Sequence, residues 1–305
     1  MVIIQFSEAF MGVLEMLPLR AREAIDDCVD TMPNFEQRLN EIRLRASRPV
    51  SITLDGKNMV LPALCTAAEL SQTVKLFCGG SIYAHSETLK AGYISIGNGY
   101  RVGVCGRAVL DKDKIIGISE ISSVNIRIPR HIPGIGGYAE KILKGMDYPS
   151  GLLIYSRPGV GKTTLLRDLA VRLSSGRAPR RVALIDSRGE LEGGGLREHC
   201  LIDVLSGYPK AAGIEIATRT LSPEFIICDE IGALDEARAI LAVQSSGVPL
   251  IASAHASSKQ ELLLRPAIAL LHESRIFGAY LGIDRRPGAT EFQYELGYRD
   301  EEVRR

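Results

Sequence analysis

Between Leu152 and Leu173 the chain runs from an apolar stretch, L-L-I-Y, through the turn S-R-P-G-V-G-K-T, into a segment with leucine at 165, 166, 169 and 173. A buried strand, a glycine-rich turn and an amphipathic helix in that order leave few folds open. The turn must reverse the chain while its backbone N–H groups converge at the helix N-terminus, which is where phosphate oxygens bind. Gly159 and Gly161 supply the turn, Lys162 reaches the β and γ phosphates, and the Thr163 hydroxyl sits on Mg²⁺. Ser156, Arg157, Pro158, Gly159, Val160, Gly161, Lys162, Thr163 and Thr164 are therefore read as the phosphate site for ATP with Mg²⁺. One residue departs from the signature G-x-x-x-x-G-K-[ST]: its first glycine is Ser156. That position opens the turn, so a serine is expected to strain the loop or alter affinity.

Three more strand ends carry polar groups. F-I-I-C-D-E is an apolar strand closing on two acids, with Asp229 placed to hold Mg²⁺ through its water shell and Glu230 to polarise an attacking water. In V-A-L-I-D-S-R-G-E, Asp186 and Glu190 flank Arg188. They read either as ligand-facing carboxylates or as caps of a helix. P-L-I-A-S-A-H ends on His255, read as a sensor of hydrolysis beside the γ-phosphate, with a purely structural histidine as the alternative. Continuous apolar runs at 152–155, 182–186, 225–229 and 249–254, separated by helix-length segments, require a parallel sheet covered on both faces. This half of the chain is α/β.

The first half has a different texture. Apolar residues at helical spacing (Phe10, Val13, Leu14, Leu17) predict a short helical cap broken or restarted at Pro18, over residues 1–35. Short β-prone runs follow at 50–54, 93–96, 101–104, 115–118 and 123–128, with helical stretches at about 67–77 and 82–90, which makes an α+β domain over 36–130. Pro129 to Gly137 holds two prolines and three glycines and is the expected linker, leaving 131–305 as the second domain.

Bulk composition excludes more than it selects. A formal net charge of +1 with 24% charged residues gives no global case for nucleic acid or acidic lipid as the main partner. Six cysteines without a C-x-x-C pair or a Cys/His cluster argue against zinc and disulfides, and a reducing cytosol fits. No secretory signal and no stretch of about 18 apolar residues is seen, so work at a membrane requires recruitment to its cytoplasmic face.

Taken in order, these motifs resemble the secretion ATPases of type II and type IV systems and the pilus motors, and more sharply the stage III sporulation protein AA family. The resemblance is carried by E-I-R-L-R from Glu41, S-I-Y-A from Ser81, G-Y-R-V-G-V-C-G from Gly99 and I-S-S-V-N-I-R-I-P-R from Ile121. L-S-P-E-F-I-I-C-D-E-I-G from Leu221, A-S-A-H-A-S-S from Ala252 and R-R-P-G from Arg285 carry it in the second half. It implies a RecA-like P-loop NTPase domain with a parallel-sheet core, preceded by a smaller α+β domain, and assembly as a homo-hexamer. It also implies that N-terminal arginines compensate γ-phosphate charge; Arg101, Arg107, Arg127 and Arg130 are the candidates, with Arg127 and Arg130 favoured just ahead of the linker. Partners would be membrane-associated sporulation or secretion channel proteins.

Against that family's pattern, Ser187 and Gly189 stand where a glutamate and a serine are expected, and Gln244-Ser245 replaces a leucine-histidine pair. If position 187 normally carries the catalytic carboxylate, general-base duty rests here on Glu190 or Glu230. The leading expectation is an ATPase energising channel assembly or transport between mother cell and forespore. A nucleotide-dependent ring scaffold without turnover is the second reading. A RecA-like nucleic-acid ATPase using the basic run R-A-P-R-R from Arg177 is the third, although that run is more simply a solvated loop.

Overall fold

The computed structural model describes residues 7–129, 132–146, 150–191, 200–243, 247–285 and 292–299. The chain divides into two compact units, Met1–Arg130 and His131–Arg305.

The first unit opens with α1 (Glu8–Glu15), α2 (Leu19–Thr31) and α3 (Phe35–Arg38). Ser7 caps α1 by accepting from the Phe10 N–H, and Pro18 is the N-cap of α2, so the proline restarts the helix where its missing N–H costs nothing. Then come β1 (Leu39–Arg45), β2 (Arg48–Leu54), β3 (Lys57–Leu64), α4 (Ala67–Phe77), α5 (Ser86–Lys90), β4 (Tyr93–Ser95), β5 (Arg101–Asp111) and β6 (Lys114–Arg127). The strands form one antiparallel sheet in the order β3-β2-β1-β6-β5-β4. Two expectations change here. Phe10, Leu14, Ala21 and Ile25 sit in the same core as Ile42, Ile52, Val102 and Ile126, so the opening helices belong to the sheet's own unit rather than to a separate cap. The runs at 115–118 and 123–128 are one strand, β6, because β5 extends past its other neighbours and pairs with it all the way to Asp111 and Lys114.

The second unit holds α6 (Gly137–Gly145), β7 (Gly151–Ser156), α7 (Lys162–Ser174), β8 (Val182–Asp186), β9 (Ile202–Ser206), α8 (Lys210–Thr220) and β10 (Phe225–Glu230). It continues with α9 (Leu234–Val243), β11 (Leu250–His255), α10 (Lys259–Leu264), α11 (Pro266–Glu273), β12 (Phe277–Asp284) and β13 (Gln293–Tyr298). The seven-stranded sheet runs β13-β12-β7-β11-β10-β8-β9 and is parallel except for β13 at its edge. Side chains alternate between its faces: Leu152 and Ile154 pack with Leu165, Leu166 and Leu169 of α7, whereas Leu153 and Tyr155 share a core with Ile214, Ile240 and Ile268. Helices thus cover both faces, as the unbroken apolar strands require. Part of the breaker cluster ahead of α6 is pinned to this unit: the Gly134 and Gly136 N–H groups donate to the Asp168 carboxylate of α7 at 3.0 and 2.7 Å.

The strand order positions the site. β11 lies between β7, which feeds the glycine-rich loop, and β10, which ends in Asp229 and Glu230, and its register sets His255 opposite Ser156. Groups far apart in the chain therefore meet at the carboxyl ends of three adjacent parallel strands, where open α/β sheets bind ligands.

Candidate active site

Past Ser156 the chain turns and Gly161 caps α7, so Lys162 and Thr163 open a helix of 13 residues with its positive end at the loop. Gly159 (φ +77°) and Gly161 (φ +128°) both lie in the left-handed region, and a Cβ on Gly161 would stand 3.1 Å from Cζ of Phe292. These two positions need glycine. Ser156 does not: it is the last residue of an extended strand and its φ is ordinary, so the expected strain is absent.

Lys162 is buried and folds back over the loop. Its Nζ donates to the Ser156 carbonyl at 3.2 Å, to the Ser156 hydroxyl at 3.3 Å and to Nδ1 of His255 at 2.7 Å. The other ring nitrogen of His255, Nε2, lies 2.8 Å from a carboxylate oxygen of Glu230. Facing an ammonium, Nδ1 is placed to accept, and facing a carboxylate, Nε2 is placed to donate; Nδ1 also lies 3.3 Å from the Ser156 carbonyl. Lys162, His255 and Glu230 form one hydrogen-bonded chain across β7, β11 and β10. Burial pulls the Lys162 ammonium down from 10.5 to about 8; Glu230 opposes that shift and Arg265 adds to it.

Asp229, one residue before Glu230, is 5% exposed. Its Oδ1 lies 2.7 Å from Nζ of Lys210, the first residue of α8, and the same ammonium lies 2.7 Å from Oε1 of Glu236 on α9. Oδ2 of Asp229 is buried with no hydrogen-bond partner. Burial raises the carboxyl to about 6 against the pull of Lys210, so this is a carboxylate short of positive charge. An orphaned, buried, anionic oxygen together with the partly exposed Thr163 hydroxyl at the helix start is a hard-oxygen donor set that suits Mg²⁺. No sequence pattern marked Lys210; its pairing depends on where α8 packs.

The loop after β8 resolves differently from its expectation. Asp186 is fully buried and accepts from the N–H groups of Glu190 at 2.9 Å and Leu191 at 2.8 Å, so it closes its own loop. Arg167 of α7 clasps that loop by donating to the carbonyls of Glu190 (2.6 Å) and Leu191 (3.1 Å). Asp186 thus caps a turn of its own loop and not a helix, since residues 187–191 are turn and bend, and its full burial means that it is not a solvated group. Glu190 is held on this loop through its backbone, while Lys162, His255, Glu230 and Ser156 converge without it.

Among the N-terminal arginines, Arg101 stacks on Tyr93 at 4.2 Å and Arg107 pairs with Glu120 at 3.2 Å, so both have local partners. Arg127 closes β6 and is exposed. Arg130, Gln244, Ser245 and most of the R-R-P-G motif lie outside the described residues.

The family model described as sporulation stage III, protein AA, matches residues 12–299. Stage III sporulation protein AA of Bacillus subtilis (strain 168) is 36% identical over 287 residues, spanning 90% of this chain and 91% of that one. An uncharacterized protein, ycf45 of Cyanidium caldarium, is 31% identical over 163 residues, half of this chain. Among solved structures, the Legionella pneumophila ATPase DotB superposes with a TM-score of 0.63 at 17% identity, over 99% of this chain and 83% of DotB. The pilus retraction motor PilT with bound ADP gives 0.63 at 16% identity, over 93% and 85%. Identities that low speak for a shared fold, and the site above lies within it. With the family model matched along nearly the whole chain and its Bacillus relative covered almost completely, this chain belongs to the sporulation stage III protein AA family.

Proposed function

We propose that the chain is an ATPase with a RecA-like core that binds ATP with Mg²⁺ at the loop Ser156–Thr164 and hydrolyses it. The observation that carries this reading is the chain Lys162–His255–Glu230 converging on a glycine-rich loop at a helix N-terminus. In this reading the loop N–H groups and Lys162 take the β and γ phosphates, while Thr163 and Asp229 hold the cation. A cation held there would neutralise phosphate charge. Glu230 orients the attacking water, and His255 couples Glu230 to Lys162, so that movement of the lysine toward phosphate is felt at the base. Glu190 is the reserve carboxylate, and Arg127 and Arg130 are the candidate arginines for γ-phosphate charge. By kinship with the sporulation family, turnover would energise assembly of, or transport through, a membrane-associated channel, from a homo-hexamer recruited to the cytoplasmic face; nucleic acid is not an expected partner. Among the described residues no helix is long and apolar enough to cross a membrane.

The test is Mg²⁺-dependent ATP turnover by the purified chain and its Glu230→Gln variant. Glu230→Gln is expected to lower kcat at least about 100-fold with ATP affinity within about twofold, since it removes the base and little of the binding. ATP binding without turnover in the unaltered protein would instead favour the scaffold, and a salt-dependent shift of labelled DNA the nucleic-acid reading.

A pH dependence follows from Lys162. Its ammonium titrates near 8 in the free protein, and bound phosphates favour the charged form, so binding above that pH must take up a proton. Between about pH 8 and 10 the Kd for ATP should rise roughly tenfold per pH unit, and this slope should vanish in Lys162→Met. A Kd independent of pH over that range would show that Lys162 does not meet the phosphates.

A further inference from the structure

We infer that the Ser156 hydroxyl is a latch that holds Lys162 away from the phosphates in the nucleotide-free protein, so that Ser156 weakens nucleotide binding relative to the glycine of the P-loop signature. The inference rests on the proposed role of Lys162 and concerns the residue by which this loop departs from the signature.

A glycine at this position offers the lysine only its carbonyl. Here the side chain adds a second acceptor from the same residue: Nζ of Lys162 lies 3.2 Å from the Ser156 carbonyl and 3.3 Å from its hydroxyl. The hydroxyl proton is already committed to the Arg157 carbonyl at 2.8 Å, which leaves the oxygen's lone pairs for the ammonium. Ser156 is 3% exposed and Lys162 6%, so water does not compete for this bond. His255 Nδ1 lies 2.7 Å from the same ammonium. Three acceptor atoms inside the protein thus surround the Lys162 ammonium, and a phosphate must displace some of these contacts to gain the lysine. Backbone conformation does not explain the serine, since its φ is one that any residue adopts. What the side chain adds is the hold on Lys162.

The experiment is a double-mutant cycle of Ser156→Ala and Lys162→Met, read by the melting temperature with and without saturating ADP and by the Kd of a fluorescent ADP analogue. Ser156→Ala is expected to bind the analogue about fivefold more tightly, one long charge-assisted hydrogen bond's worth. It should melt lower than the unaltered chain when free of nucleotide and no lower when saturated, and have no effect on either in the Lys162→Met background. Ser156→Gly should also bind more tightly than the unaltered chain. A merely structural serine would lower both melting temperatures alike and leave the Kd unchanged or raised, which would overturn the latch. Strict additivity of the two substitutions in the nucleotide-free melting temperature would overturn it as well. If no variant binds the analogue, the proposed nucleotide site is what fails, and the nucleotide-free cycle still decides whether Ser156 holds Lys162.

Discussion

Lys162→Met should lower kcat/KM for ATP at least about a thousandfold while leaving the fold intact. The substitution keeps a buried stem of similar length and removes only the ammonium. In the proposed mechanism that charge faces the transferring phosphate, where one preorganised donor is worth about 10² to 10³ in kcat, with a further loss in binding. His255 Nδ1 and the Ser156 carbonyl lose their donor at the same time, so the hydrogen-bonded path to Glu230 ends at the histidine. Stability should not suffer. The ammonium's folded pKa of about 8 lies below its ordinary 10.5, so at neutral pH the folded protein holds this proton less tightly than the unfolded chain does. A neutral side chain removes that penalty. Steady-state phosphate release together with a melting curve checks both halves. Turnover within tenfold of the unaltered protein would mean that hydrolysis occurs elsewhere, and a large drop in melting temperature would make the activity loss uninformative.

The largest expected effect on stability is at Lys210. Its ammonium joins Asp229 of β10 to Glu236 of α9 from the first turn of α8, with all three groups mostly or wholly out of water. Lys210→Met leaves Asp229 buried without its cation, a change of about 3 to 5 kcal/mol, or a fall in melting temperature on the order of 10 °C for a unit of this size. The sign of the pH dependence follows from the carboxyl. With Lys210 beside it, Asp229 titrates near 6, above its ordinary 3.8; without that ammonium its carboxyl is held higher still, so acidification from pH 8 neutralises the stranded charge in the variant before it protonates the unaltered protein. The gap between the variant and the unaltered protein should therefore narrow from pH 8 to pH 5. Lys210→Met with Asp229→Asn should recover more than half of the loss at pH 8. A gap that does not change with pH, or a double variant no more stable than the single, would show that Lys210 contributes by packing its stem and not by its charge.

Some of this could be read from the chain without a structure. The glycine-rich loop is encoded within a dozen residues, because strand, glycine turn and helix start are local and the two left-handed glycines have a sequence signature. Four parallel strands were legible for a similar reason: an unbroken apolar run needs cover on both faces wherever it lies. Strands β9 and β13 escaped that reading, since Ile202–Ser206 and Gln293–Tyr298 mix polar with apolar residues at sheet edges, where cover is incomplete; β12 is internal and buried, but Gly278 and Gly282 interrupt its apolar run. Ser156 shows the limit at a single residue. The signature flagged it as a departure, but whether serine strains the loop depends on a backbone angle that only the folded strand sets.

By itself, then, the sequence determined the α/β class of the second half, the place of the glycine-rich loop and which carboxylates stand at strand ends. Tertiary structure alone decided which of those groups meet. His255 is 93 residues from Lys162 and reaches it because β11 inserts between β7 and β10, and Lys210 reaches Asp229 because α8 packs beneath that strand's end. Both pairings are fixed by strand order and helix placement, which arise from non-local burial of two sheet faces at once. No local pattern of residues encodes them.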